Sequence, residues 1–445
     1  MYKLTLTLLS LLLFTSLSYS QENIALKLNK LVDEYNARDL FSGTILVASK
    51  DGTLLEKAVG LSNLEEKIPN NPETVFNIGS IQKTFTRELL EILMKEGKLN
   101  SNDKLGNYIT GFKDTRAEEA TIEQIINMEG GFGDFIMIRD IQENAINYNT
   151  IDDYMDAIKS EPLLFAPGTD KRYSNSGYVV LGAVIEKITG KTYKEFLTEK
   201  ILEPLNMNNS YYERASNIKN NKAMGYMVGF DGKIFRSQTF NLSPTPAGSM
   251  YSNIGDLNKF AEYLYTKNGR DQSNAFAGGL PGWNSIMGLL GEKGYTVIIL
   301  SNYDEPSAEN LFEQVIKVLK GMDFDPPKDD VGRFIYTEMK NKGLDEFIKN
   351  FDKILSQNGY EIKDDMKLNA LGYTFLNQGM INEAIAVLKL NVMMFPDVPN
   401  CYDSLGEVYM VAGNKEDAIR NYEKALEMDP GNNNAASMLD KLKSE

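Results

Sequence analysis

The feature that most constrains the fold is a repeat near the C-terminus. Leu371-Gly372 recurs as Leu405-Gly406, Gly379 as Gly413, Ala384 as Ala418 and Pro396 as Pro430, each at an offset of 34 residues. Four landmarks in step at one period are the signature of a stacked helix-pair array. The residue types suit that geometry. Gly and Ala let two helices approach closely, Phe375/Tyr409 and Leu388/Tyr422 fill the seam, and the prolines stop the second helix of each pair.

These landmarks resemble the tetratricopeptide repeat. Phe334 to Lys342, Gly343, and Leu344 to Leu355 read as a degenerate preceding pair, outside the 34-residue spacing. Helix pairs at 334–355, 368–395 and 402–428, with a terminal helix from Asn434, just reach the roughly three repeats that a continuous core needs. Met393-Met394 and Cys401 are expected in that core. The resemblance implies an all-α repeat domain over 333–445 that takes a peptide or protein ligand. Residues 321–332, with Pro326-Pro327, read as a linker.

The chemistry open to the rest is narrowed by two counts. In 445 residues there is no histidine, and Cys401 is the single cysteine. A Ser-His-Asp triad, a Cys-His pair and an HExxH zinc site are thereby excluded, as are an intramolecular disulfide and a cysteine cage. No metal or cofactor is expected. The net charge of −15 argues against nucleic acid as a partner.

Residues 1–20 read as a secretory signal peptide: Lys3, an apolar run from Leu4 to Leu17, and a small-x-small site at Ser18-Tyr19-Ser20. The expectation is an exported protein, periplasmic or secreted, with no integral membrane segment once the leader is removed.

Residues 21–320 carry a different pattern. A helix near 23–38 leads into a hairpin, Gly43 to Ala48 and Leu54 to Val59 around Lys50-Asp51-Gly52. Far downstream, Trp283 to Leu290 and Tyr295 to Leu300 form a second hairpin, followed by a helix from Ser307 to Leu319. Between them lie mostly helical and loop segments. The layout predicts an α+β domain: one antiparallel sheet built from both ends of the segment, flanked by helices, with a helical subdomain inserted.

Within this unit, Ser80-Ile81-Gln82-Lys83 opens a long helix. Residues three apart share a helix face, so the lysine amine reaches the serine hydroxyl, a nucleophile–base pair that needs no histidine. The same residues also suit a plain N-cap followed by a solvated lysine. The spacing recurs at Ser101 and Ser216, in polar stretches that read as loops. A free lysine titrates near 10.4, and the field at a helix N-terminus supplies at most about 2 kcal/mol. Lys83 therefore works as a base only if it is buried.

Tyr173-Ser174-Asn175 stands at a loop-to-helix junction. Its phenol can pass a proton beside a lysine, and the Asn175 amide can donate to a substrate carbonyl. The copy at Tyr251-Ser252-Asn253 reads as helix capping.

Phe41-Ser42-Gly43-Thr44, the stretch Phe76 to Lys83, Tyr173-Ser174-Asn175-Ser176-Gly177-Tyr178 and Pro281-Gly282 occur in this order. Together they resemble the serine beta-lactamase-related family of class C beta-lactamases, D-alanyl-D-alanine peptidases and esterases, over nearly all of 41–320. The resemblance implies that Ser80 is the acylated nucleophile, that Lys83 and Tyr173 share the base and acid roles, and that Asn175 helps hold substrate. Gly279 would join the Ser80 N–H in an oxyanion hole.

There are departures from the family pattern. Phe276 stands where relatives carry a cation, the turn at Asn127-Met128-Glu129 lacks its histidine, and the segment before Phe276 is short. Losing a charge-assisted bond of roughly 1.5–3 kcal/mol disfavours substrates anchored by a carboxylate. The first expectation is thus a serine hydrolase that acts through an acyl-enzyme on a small ester or amide. The second is a catalytically silent binding protein of the same fold, which Phe276 and the short segment favour.

Overall fold

The computed structural model describes residues 22–237, 243–271, 273–291 and 293–444. The leader read at 1–20 lies outside the described residues. Two compact units are present, one taking in the chain to Val228 and Ile234–Pro327, the other Gly229–Lys233 and Lys328–Glu445.

In the first unit, helix α1 (22–37) precedes strands β1 (Gly43–Ser49) and β2 (Gly52–Val59). Helix α2 (Gln82–Lys95), helix α3 (Asn175–Thr189) and helix α4 (Ile254–Asn268) follow. Strands β3 (Asn274–Leu280), β4 (Trp283–Leu290) and β5 (Tyr295–Ser301) and helix α5 (Ser307–Leu319) complete the set used below. The five strands form one antiparallel sheet in the order β2-β1-β5-β4-β3, in which Gly43 lies opposite Ser301. The two ends of the segment thus meet at the centre of the sheet, as the two hairpins predict.

Side-chain alternation explains the layering. Ile45, Val47, Ile286, Val297 and Ile299 join a core with Leu28, Leu31, Leu311 and Val315 from α1 and α5. Their neighbours Leu46, Ala48, Met287, Ile298 and Leu300 face the larger core that holds Phe85, Leu89, Val180 and Phe260. With period 2 and both faces covered, the middles of β1 and β5 are apolar on both faces, and the buried polar residues Thr44, Thr296 and Ser301 stand toward their ends. The short link before β3 is confirmed: α4 ends at Asn268 and β3 begins at Asn274.

The second unit is all helix outside its short segment at 229–233. After Val331–Lys342 come Leu344–Lys349 and Phe351–Gln357, so the helix expected over Leu344 to Leu355 is interrupted at Asn350. The repeats then form α6 (Asp365–Asn377), α7 (Ile381–Met394), α8 (Pro399–Val411), α9 (Lys415–Met428) and α10 (Asn433–Ser444). A Cβ on Gly372 would lie 2.6 Å from Leu388, and one on Gly406 would lie 3.1 Å from Tyr422. The same tight contact therefore recurs one period apart. Cys401 is buried as expected, but Met393 is 64% exposed. Two residues beyond buried Asn391, the helical turn carries Met393 to the opposite face.

Candidate active site

Ser80 sits in a single 3-10 turn, Gly79–Ile81, that runs directly into α2. No side-chain cap bond starts the turn, so the N-cap alternative does not hold. The main chain around Ser80 is pinned instead. Ile78 N–H donates to the Met250 carbonyl (2.9 Å), and Gly79 N–H donates to Asn77 Oδ1 (2.9 Å). Apolar residues then bury one side of α2, with Phe85 stacked on Phe260 at 3.9 Å between ring centres.

Edge strand β3 passes this turn with no side chain between the two backbones. A Cβ on Gly79 (φ +49°) would lie 2.8 Å from Gly279 N, and one on Gly278 would lie 2.2 Å from the Ile78 carbonyl oxygen and 2.7 Å from Ser80 N. Ser285 Oγ lies 3.0 Å from both the Ile78 and Gly278 carbonyl oxygens, which share its one proton.

Lys83 is 6% exposed. Its Nζ donates to Asn175 Oδ1 (2.7 Å), the Ala247 carbonyl (2.7 Å) and Ser80 Oγ (3.1 Å). Burial lowers its pKa to about 7, against an opposing pull from the Asp134 carboxylate. Two N–H groups are committed to carbonyl oxygens, so the third position faces Ser80. There the ammonium has a proton and the neutral amine has a lone pair.

Tyr173 closes the other side, its hydroxyl 2.5 Å from Ser80 Oγ. Partial burial raises its pKa; the bond to Ser80 lowers it, and the charges of Asp134 and Glu305 raise it again. The phenol therefore stays protonated at neutral pH. Ser174, next in sequence, caps α3 by accepting from Gly177 N–H (2.9 Å) and donates to the Gly133 carbonyl (2.7 Å).

Ser80, Lys83, Tyr173 and Asn175 thus come together, and Gly279 borders the same cleft of about 380 Å³. The other two serine–lysine spacings do not couple. Lys219 reaches the Ser216 carbonyl rather than its hydroxyl, and Lys104 pairs with Glu119. Asn253 caps α4, as its sequence context suggests.

Three placements add to the sequence reading. The Asn175 amide, which borders the cleft, already gives one of its two N–H groups to Asp134 Oδ2 at 2.7 Å. Phe276 packs against the main core and is not among the described residues lining the cleft. Two carboxylates escaped notice: Asp134 behind Asn175, and Glu305 in the cleft wall. Asp134 is close to Glu129, but only the fold brings it to Asn175. Glu305 follows the last strand with no local motif to mark it.

Comparison with known proteins agrees with this architecture. Residues 28–277 match the beta-lactamase family and residues 399–432 match the tetratricopeptide repeat. Protein flp of Staphylococcus aureus is 25% identical over 325 residues, which is 64% of this chain and 65% of that protein. Teichoic acid D-alanine hydrolase of Staphylococcus aureus is 29% identical over 230 residues, 52% of this chain and 56% of that protein. The chain therefore spans less than two thirds of the length of either relative. The crystal structure of D-amino acid amidase from Ochrobactrum anthropi matches with a TM-score of 0.59 at 19% identity, over 67% of this chain and 99% of that one; this is a likeness of fold. Because the family match runs from the first helix into edge strand β3, more than half of the 445 residues, this chain belongs to the beta-lactamase family and carries a tetratricopeptide repeat toward its C-terminus.

Proposed function

We propose that the protein is a serine hydrolase that cleaves a small ester or amide through an acyl-enzyme on Ser80. The observation that carries this reading is the seating of Ser80 Oγ between buried Lys83 Nζ (3.1 Å) and the Tyr173 hydroxyl (2.5 Å). A hydrolase and an amidase among the similar proteins support the reaction class.

In this scheme Ser80 Oγ attacks the substrate carbonyl carbon and its proton passes to the neutral Lys83 amine. The oxyanion is held by the N–H groups of Ser80 and Gly279. As the tetrahedral species collapses, Tyr173 gives its proton to the leaving oxygen or nitrogen and is reprotonated from Lys83. Water then attacks the acyl carbonyl, losing its proton to the same pair, and Ser80 leaves with a proton regained. Lys83 is the base because burial acts oppositely on the two groups, lowering the lysine and raising the phenol. Asn175 is a positioning residue, since it holds Lys83 on one side and Asp134 on the other.

The protein is further proposed to be exported, periplasmic or secreted, with a peptide or protein segment bound by its repeat unit. The silent-binder alternative is disfavoured, because a lysine kept only for structure gains nothing from being buried beside an open serine.

A fluorophosphonate probe and a labelled penicillin, applied to wild type and Ser80→Ala, test the reading. The phosphonate should label wild type alone, and the penicillin should label it poorly. Labelling that persists in Ser80→Ala, or a folded wild type that takes no phosphonate, overturns the claim.

A further inference from the structure

The residues lining the cleft beside Ser80 are mostly apolar or neutral. Among the described ones, Glu305 alone carries a formal charge, and it is exposed to solvent. Lys83 lies beneath Ser80, its Nζ taken up by Asn175, Ala247 and Ser80. Phe276 turns against the core and brings no charge to the cleft. Among the described residues that line the cleft, the one formal charge is thus a carboxylate, with Asp134 behind Asn175 adding to the same sign.

Glu305 owes its place to a missing side chain. A Cβ on Gly279 would lie 1.8 Å from Glu305 Oε1, so the carboxylate occupies the space that any other residue at 279 would fill. It bonds to no described side chain, and partial burial with Glu309 and Asp304 nearby holds its carboxyl above the ordinary range. Its charge also reaches Tyr173. An acceptor-only group in that position, surrounded by like charge, gains from a cation and repels a carboxylate.

We infer that Glu305 is the specificity residue of this cleft, receiving the ammonium group of an amine-bearing ester or amide. The inference rests on the hydrolase reading for the word substrate, but recognition can be tested without turnover. The ammonium donates to the Glu305 carboxylate while the acyl carbonyl lies over Ser80.

Binding is measured by calorimetry on full-length Ser80→Ala protein with three probes: alanine p-nitroanilide in either enantiomer, propionyl p-nitroanilide and succinyl p-nitroanilide. The aminated probe should bind tighter than its neutral counterpart by about tenfold or more, with the carboxylated one weakest. That ratio should collapse toward unity in Ser80→Ala/Glu305→Gln and survive in part with Glu305→Asp, which keeps the charge. Equal binding of aminated and neutral probes, or a ratio that Glu305→Gln leaves intact, overturns the inference. Wild-type turnover separates the two claims. Charge preference without turnover supports the role of Glu305 and removes the hydrolase, whereas turnover without charge preference removes Glu305 alone.

Discussion

Asn175 Oδ1 accepts a 2.7 Å hydrogen bond from Lys83 Nζ, and the other end of the same amide donates to Asp134 Oδ2 at 2.7 Å. The amide cannot flip without placing its NH2 against an ammonium and its oxygen against a carboxylate, so the orientation of Lys83 is fixed from behind.

Lys83 is both the proposed base and a burden on stability. Its unfolded pKa of about 10.5 falls to about 7 in the fold. Between those values the unfolded chain holds more protons, so this group favours folding increasingly as pH rises through the window, and its cost is full below about 7. Lys83→Met should abolish hydrolysis, by roughly 10²- to 10⁴-fold. Relative to wild type, its melting temperature should be most favourable near pH 6 and lose that advantage toward pH 10. Parallel thermal melts across this range check it; a pH-independent difference would show that burial of the charge is not what lowers the lysine.

Phosphonate labelling of Ser80 should speed up as pH rises through about 7, following the neutral form of Lys83. With no histidine in the chain, an unperturbed side chain cannot supply that limb. The Asp134 carboxylate pulls Lys83 upward, so Asp134→Asn should move the limb to lower pH. A limb that stays in place or moves to higher pH counts against the assignment.

Gly278→Ala should slow labelling by about 100-fold or more while costing about 1–3 kcal/mol of stability. The added methyl meets backbone on both sides, the Ile78 carbonyl and Ser80 N, so the nucleophile turn must shift to admit it. Labelling rate and thermal melt measured together check this; unchanged labelling would mean that Ser80 tolerates movement of β3.

In the repeat unit, Tyr422 is fully buried and its hydroxyl has no partner among the described residues. Tyr422→Phe should leave stability unchanged or raise it by up to about 1 kcal/mol. A denaturation curve showing a clear loss would reveal a hydrogen bond to that hydroxyl.

Local pattern carried the fold a long way. The period-2 runs in β1, β4 and β5 and the 34-residue landmarks each encode an element and its buried face within a few residues. Ser80 and Lys83 were readable because one helical turn joins them, and Tyr173 because its three-residue motif heads a helix. Asp134 and Glu305 were not, since each matters through a partner distant in sequence and neither stands in a motif. The second partner of Asn175 was hidden for the same reason: its type suggests an amide facing a ligand, and only the fold shows that one of its N–H groups goes to Asp134. Met393 failed through a rotation of the helix that composition does not reveal.

The pairing of β1 with β5 also has a consequence for the order of events in synthesis. The serine turn leaves the ribosome long before β3 and β5 exist, yet the glycines that face it lie on β3, and the sheet closes only when β5 reaches β1. Long-range strand pairing of this kind forms late. A nascent chain stopped short of Asn274 therefore holds Ser80 and Lys83 without the strand that faces them, so the cleft takes shape only late in the synthesis of the first unit.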